Sequence, residues 1–353
     1  MRDNWRLFLD VHAVQTVPPS NINRDDTGSP KTAQYGGVTR ARVSSQSWKR
    51  AIRQYFLEYG GMNNVGIRSL EVVRYIAEKI MALDGSVGRE EAMKLAEGVI
   101  NSAGITTTKD QKAKALFFIS SKQAEKLALA ALEGDTSKKE LQEMLKSDPA
   151  IDIALFGRMV ADDPKLNEDA SSQVAHAIST HAVQTEFDFF TATDDFSSSN
   201  DAGAGMLGTI EYNSSTLYRY ANVAVHEFSR QIGDMASVVN ALRLFIEAFT
   251  KSMPTGKANT FANQTLPQAL LICLREDRPV NLVSAFERPV RSSEGYVKQS
   301  IQRLKHEYES VRQWVDDPLV TLSLGIEDLD GNQGNFNDLL ERLEERLSAL
   351  LDT

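Results

Sequence analysis

Apolar and polar residues alternate at the start of this chain, turn to helical spacing, then alternate again. Trp5, Leu7, Leu9, Val11 and Ala13 are interleaved with Arg6, Asp10 and His12, a period of two that predicts a first strand with one buried face. The Pro18-Pro19-Ser20 cluster predicts its end. Residues 20–37 read as a long loop, a length uncommon in a compact domain unless it has a function. Residues 38–43 read as extended, with Val38, Arg40 and Arg42 on one side and Thr39, Ala41 and Val43 on the other. Ser44 or Ser45 then caps a helix in which Trp48, Ile52, Tyr55, Phe56 and Tyr59 form a core stripe, while Lys49 and Arg53 lie on a different face. Gly60-Gly61 closes that helix.

From about 62 to 182 helical spacing dominates. Helices are predicted at 70–83, 89–100, 123–132 and 138–145, a strand-like piece at 151–156, and a further helix over 170–182. Alternation returns at 183–190. The stretch 193–215 is rich in Ser, Gly, Asp and Asn, with Met206 and Leu207 among its few bulky apolar residues, and reads as a long loop. Strands are predicted at 217–225, 266–274 and 281–286, and helices at 236–252, 297–315 and 337–351. This order predicts an α+β sheet domain carrying a helical lobe.

Charge sharpens the picture. The chain of 353 residues has a formal charge of −9, yet between Thr27 and Leu57 it carries six basic residues and no acid: Lys31, Arg40, Arg42, Lys49, Arg50 and Arg53. Residues 315–353, with ten acids and two arginines, hold most of the opposite excess. Local positive charge on an acidic chain marks a bounded anion site rather than a generally adhesive surface. The basic residues flank a helix start, and Ser44, Ser45 and Gln46 add neutral donors beside them. Arginine forks, hydroxyls and free helix N–H groups together suit phosphate oxygens. A phosphate or nucleic-acid backbone site stands here beside the plainer alternative of a solvated charged face.

Other candidates are weaker. Asp25-Asp26 reads as an Asx turn or an ion pair with Arg24 before it reads as a metal pair. His176 and His181 are five apart, which is not the spacing of a zinc helix. The spaced glycines 203–208 lack the preceding strand and following helix of a dinucleotide site, and Gly256-Lys257 lacks the upstream glycine of a phosphate loop. Cys273 is the single cysteine and sits in an apolar run, so it is expected in the core and fits a reducing cytoplasm. No run is apolar enough to span a membrane and no signal peptide is evident, so a cytoplasmic location is expected.

Several motifs occur in order. They are Asn23-Arg24-Asp25-Asp26, Gly36-Gly37, the run from Arg42 through Ser44-Ser45-Gln46 to Lys49-Arg50 and Arg53, and Asp152 through Gly157-Arg158-Met159. Ala175 to His181, Phe190 to Asp195, Tyr218 to Asn222, Ala285-Phe286-Glu287 and Ser300-Ile301-Gln302 follow. Together they resemble the CasC family, backbone subunits of the type I-E CRISPR Cascade complex in the RAMP superfamily. The resemblance spans essentially the whole chain and is weakest over 62–150 and at the acidic C-terminus.

It implies an RRM-like (ferredoxin-like) palm at 1–60 and 183–353, helical fingers inserted at 61–182, and a protruding thumb loop at 193–215 tipped by Met206 and Leu207. It implies several copies polymerising along one CRISPR RNA that pairs with a complementary target DNA strand, together with other Cascade subunits. Arg24, Lys31, Ser44, Gln46, Lys49 and Arg50 would hold RNA phosphates, with Asn23, Arg40, Arg42, Arg53 and Arg158 in the same RNA-binding set. Met159 would pack beside a displaced base, Lys257 would reach the same groove, and Lys138 and Lys139 would touch DNA. No catalytic residue, metal or cofactor is expected. The rival implied by the wider superfamily is a metal-dependent ribonuclease using Asp25 or Asp26.

Overall fold

The computed structural model of the chain describes residues 5–61, 65–134, 136–192, 206–327, 329 and 334–352, apart from the side chains of 192, 206 and 207. The chain opens with β1 (Phe8–Ser20), β2 (Thr32–Tyr35), β3 (Val38–Val43) and α1 (Ser45–Tyr59). Next come β4 (Ile67–Ser69), α2 (Val72–Leu83), α3 (Arg89–Ser102), β5 (Phe117–Ile119), α4 (Ser121–Glu133), α5 (Lys138–Lys146) and α6 (Ile151–Phe156). Then follow β6 (Ser172–Val174), β7 (Ala177–Ser179), β8 (Glu186–Ala192), β9 (Met206–Ala224), α7 (Val225–Ile232) and α8 (Met235–Lys251). The last elements are α9 (Ala258–Phe261), β10 (Ala269–Arg275), α10 (Val297–Val311), β11 (Val320–Leu324) and α11 (Phe336–Leu351).

The main sheet runs β11-β10-β1-β9-β7-β3-β2, with β6 and β8 also paired to β9, and its described pairings are antiparallel. Taken in sequence, β1, α1, β7, β9, α8 and β10 form a βαββαβ unit whose strands lie in the order β10-β1-β9-β7, the ferredoxin-like arrangement. The architecture is α+β.

β1 explains how two layers share one strand. Leu7, Leu9, Val11 and Ala13 point into a core with α1, α8 and α11, where Ile52, Phe56, Leu242, Phe245 and Leu343 are buried. Asp10, His12 and Val14 face the other way and are buried as well, under α10 and residues 280–290. Both faces of β1 are therefore covered, not one; its polar residues disguised the second face. The strand also passes through Pro18 and Pro19, because the register with β9 shifts between Val17 and Ser20 and spares the prolines a ladder hydrogen bond.

Residues 72–166 build a second core of their own, with Ile76, Ile80, Ile100, Leu127, Leu141 and Leu166 packed among α2 to α5 and the small β4–β5 sheet. Capping boxes at Ser120/Gln123 and Ser137/Glu140 start α4 and α5.

Besides β1, five expectations differ, the first being the 20–37 loop, in which Thr32–Tyr35 form β2 against β3. The apolar run 151–156 is helix α6, since a short run buried all round carries no usable period. Residues 170–182 form β6 and β7, drawn into the sheet beside β9 and β3. Asn281 caps a 3-10 turn over Leu282–Phe286 where a strand was expected. Residues 206–215 of the expected loop are strand, while 193–205 lie outside the described residues. From Met206 to Tyr212, β9 pairs with β8, and β1 joins it only from Asn213 onward. The β8–β9 ribbon thus extends seven paired residues beyond that junction, about 23 Å at strand rise. Among the described residues no helix is long and apolar enough to cross a membrane.

Candidate nucleic-acid interface

The interface is organised by α1. Ser44 caps the helix, its hydroxyl accepting from the Ser47 N–H, and the Ser44 N–H donates to Asn23 Oδ1 at 2.8 Å. One asparagine thereby ties the 21–31 loop to the helix start. The buried side of α1 is held by Trp48, Ile52 and Phe56. Below it, Arg219 of β9 stacks on Trp48 at 3.6 Å and on Phe249 at 4.3 Å, and donates to Gln15 and to the Phe249 carbonyl. Burial lowers the Arg219 pKa to about 9. The strand that continues into the β8–β9 ribbon therefore also seats the basic helix.

The outer side of α1 faces two clefts that share Arg50. The first, about 860 Å³, lies between α1 and two loops, one bringing Arg24 and one bringing Lys257. Gly256 presses against the backbone of Ile22, where a Cβ would meet the carbonyl oxygen at 2.3 Å, and only glycine permits that approach. The second cleft, about 690 Å³, lies between α1 and the lobe with the second core; Gln46, Lys49, Arg53, Arg68, Phe118 and Met159 line it. Lys49 Nζ sits 5.5 Å from the Phe156 ring centroid, and burial lowers its pKa. Gly157, at φ +78°, turns the chain so that Arg158 points inward and Met159 outward, where Met159 is 85% exposed. Among the described residues, Arg24, Lys31, Lys49, Arg50 and Lys257 form no ion pair. Asp25 and Glu58 line the first cleft and Glu168 and Asp169 the second, but none of them pairs with these cations.

Several expected contact residues are placed elsewhere. Arg40 is wholly buried and gives its guanidinium hydrogens to the carbonyls of Tyr35, Ser179, Phe286 and Glu287. Arg158 does the same for the carbonyls of Leu166, Phe118 and Leu145, and burial lowers its pKa to about 10. Each guanidinium has most of its five N–H donors committed inside the protein and is buried away from a ligand. Both are corrected from ligand contacts to internal clamps. Ser44 is 6% exposed, and its hydroxyl serves the helix cap. Arg53 is partly committed: Nε meets Asp152 Oδ2 at 2.8 Å and the guanidinium lies 4.5 Å from the Phe118 centroid. Burial raises the pKa of Asp152, against the pull of the Gly66 N–H and Arg53.

Lys31 and Arg42 line a separate small cleft with Asn213 and Ser215 of β9. There Arg42 donates to the Thr32 carbonyl and lies 3.1 Å from His176 Nδ1. Lys138 and Lys139 are outside both α1 clefts, 3.2 Å from Asp163 and 3.9 Å from Glu143. Asp25 Oδ1 accepts from the Thr27 N–H, the Thr27 hydroxyl and the Ser29 N–H, which hold its pKa down; it is a turn residue. Met206 and Leu207 begin β9, and their side chains lie outside the described residues.

Sequence reasoning missed Arg68, Phe118, Gln54 and Gln264 as cleft residues. Gln54 had a signal, since it lies seven residues from Ser47 on the exposed helix face. The other three arrive from distant segments. Tyr55 packs against the core as expected and also lines the first cleft, whereas Tyr59, expected in the same stripe, is 62% exposed there.

Comparison with known proteins accords with this geometry. A chain of a "CRISPR RNA-guided surveillance complex, pre-nicking" superposes with a TM-score of 0.84 at 32% identity, covering 96% of this chain and 100% of that one. A chain of a "CRISPR RNA-guided surveillance complex" superposes with a TM-score of 0.73 at 29% identity, covering 96% and 99%. No curated protein sequence matches. The family model described as CT1975-like protein matches residues 9–352, and the chain belongs to that family.

Proposed function

We propose that this protein is a CasC-type backbone subunit of a type I-E Cascade surveillance complex, which binds the guide RNA along α1 and lines up in several copies on it. The observation that carries this reading is the row of cations without ion-pair partners, Arg24, Lys49, Arg50 and Lys257, facing two clefts joined at Arg50. The similarity to subunits of RNA-guided surveillance complexes supports it.

The action is binding without bond breaking. Phosphate contacts from the open cations hold the strand by its backbone, so any guide sequence is accepted and base pairing with the target DNA strand reads sequence. Holding the guide in an ordered track lowers the ordering cost of pairing. Exposed Met159 stands at the second cleft as an apolar wedge beside a displaced base. The β8–β9 ribbon, with Phe187 and Phe189 exposed, serves as the thumb that reaches a neighbouring copy.

The test replaces Arg24, Lys49 and Arg50 together by alanine and measures guide-RNA binding by fluorescence anisotropy across a salt series. Three lost phosphate contacts should lower the salt slope by about 2. An unchanged slope and undiminished guide retention would sink the reading. Incubating the assembled complex with complementary RNA and magnesium should leave the RNA intact; cleavage that disappears in Asp25→Ala or Asp26→Ala would make the protein a ribonuclease.

A further inference from the structure

The first cleft contains an aromatic pair that phosphate gripping does not use. We infer that Tyr59, backed by Tyr55, is a stacking platform for one nucleobase of the bound RNA. The inference rests on the α1 groove being the RNA track, and adds what the groove does with a base.

The cleft, rather than one helix face, brings the pair and the cations together: at about 100° per residue Arg50 and Tyr59 lie half a turn apart around α1, yet both line it. Ser47, Ala51, Tyr55 and Tyr59 follow one another every four residues, and all four line the cleft that also contains Arg50. Nine residues separate Arg50 from Tyr59, about 13 Å along the axis. A strand anchored by its phosphate at Arg50 can carry a following base over the Tyr59 ring.

The ring is held ready. The Tyr55 hydroxyl donates to Glu247 Oε1 at 3.0 Å, and the same oxygen takes Lys251 Nζ at 2.6 Å, which anchors the inner ring. The outer ring packs on it with centroids 4.4 Å apart and planes tilted by 33°. The Glu58 carboxylate beside the Tyr59 hydroxyl raises its pKa, so the outer ring stays a neutral phenol. Even so, Tyr59 stays 62% exposed, an aromatic surface that the core does not need.

The surroundings favour a single-stranded nucleic acid over a protein segment. Arg24, Arg50 and Lys257 supply charge for the backbone, and Gln54 and Gln264 supply amides that can meet a base edge. An aromatic face inside a basic groove is how single strands are held without sequence preference, because every base has a π-face. At about 860 Å³ the cleft has ample room for a splayed nucleotide.

The experiment uses the full chain with guide-length RNAs carrying 5-iodouridine at successive positions, irradiated and mapped by mass spectrometry. Cross-links to Tyr59 should come from recurring guide positions, one for each bound copy. Tyr59→Ala should weaken RNA binding roughly tenfold with an unchanged salt slope, while Tyr59→Phe and Tyr59→Trp keep the affinity. If RNA is still held through Arg24, Lys49 and Arg50 but Tyr59→Ala binds as tightly as the parent and cross-links fall elsewhere, this inference fails while the groove stands. If Tyr59→Ala shortens arrays of copies without changing the affinity of one copy, the face is a contact between copies and the inference is overturned. If no RNA is held through those cations, the groove reading and this inference fail together.

Discussion

Ionisable groups gather in two regions of this protein, beneath α10 and along α1, on opposite sides of the sheet. Beneath α10, Asp10 accepts from the Tyr220 hydroxyl at 2.8 Å and the Val280 N–H at 3.0 Å, with Arg275 Nε 3.6 Å away. His12 shares a hydrogen bond of 2.9 Å with the Tyr218 hydroxyl, and Arg275 donates to the Asp316 carbonyl. All three are buried, and the chain itself supplies their partners, although Arg275 Nε is left with the Asp10 carboxylate at ion-pair rather than hydrogen-bond distance. Along α1 the cations Arg24, Lys49, Arg50 and Lys257 form no ion pair among the described residues and face open clefts. A buried charge must be satisfied from within or it destabilises the fold. An open one costs little and remains available to a ligand. Arg158 belongs to the first kind although it borders the second cleft beside exposed Met159, because its guanidinium is turned inward to backbone carbonyls.

The largest expected effect separates these two kinds of arginine. Arg158→Ala should destabilise the lobe built on 72–166 by about 3–5 kcal/mol, because three buried carbonyls lose their donor. Arg50→Ala should stay within about 0.5 kcal/mol of the parent in thermal melts and lose RNA affinity instead. Equal melting temperatures for the two variants would erase the distinction.

The buried region has a pH signature of its own. Burial lifts Asp10 to about 7, above its unfolded value, so its contribution is fully present below about pH 4 and falls as pH rises toward 7. Burial pushes His12 down to about 3, below its unfolded value, so its contribution is present above about pH 6.5 and falls as pH drops toward 3. The two slopes oppose each other between about pH 4 and 6.5. Asp10→Asn should uncover the histidine, giving stability that rises with pH by about 1 kcal/mol per unit in that window. His12→Gln should uncover the aspartate and reverse the sign; chemical denaturation at a series of pH values reads both. The smallest effect concerns the seam between fold and site. Ser44→Ala should cost about 1 kcal/mol through the lost cap of α1, and calorimetry should detect it.

Much of this was legible in one dimension. Helices α2 to α5, α8, α10 and α11 announced themselves because their apolar residues repeat with the helical period, and the acid-free segment from Lys31 to Arg53 pointed to the helix whose outer side borders the two clefts. Short elements were not legible. The run 151–156 and the strands at 172–174 and 177–179 owe their form to neighbours in the sheet and the second core. Tyr59 continued the spacing of a core stripe, and nothing local told it from Phe56, yet one is open and the other buried.

By itself, then, the amino-acid order determined the α+β character, the insertion of a helical lobe after α1 and the position of the basic helix, since period, capping and local charge are properties of adjacent residues. Only the tertiary structure decided which basic residues remain free. The carbonyls that consume Arg40 come from residues 35, 179, 286 and 287, and those that consume Arg158 from 118, 145 and 166. A guanidinium becomes a clamp or a ligand contact according to which distant backbone reaches it, and that is set by packing rather than by spacing along the chain.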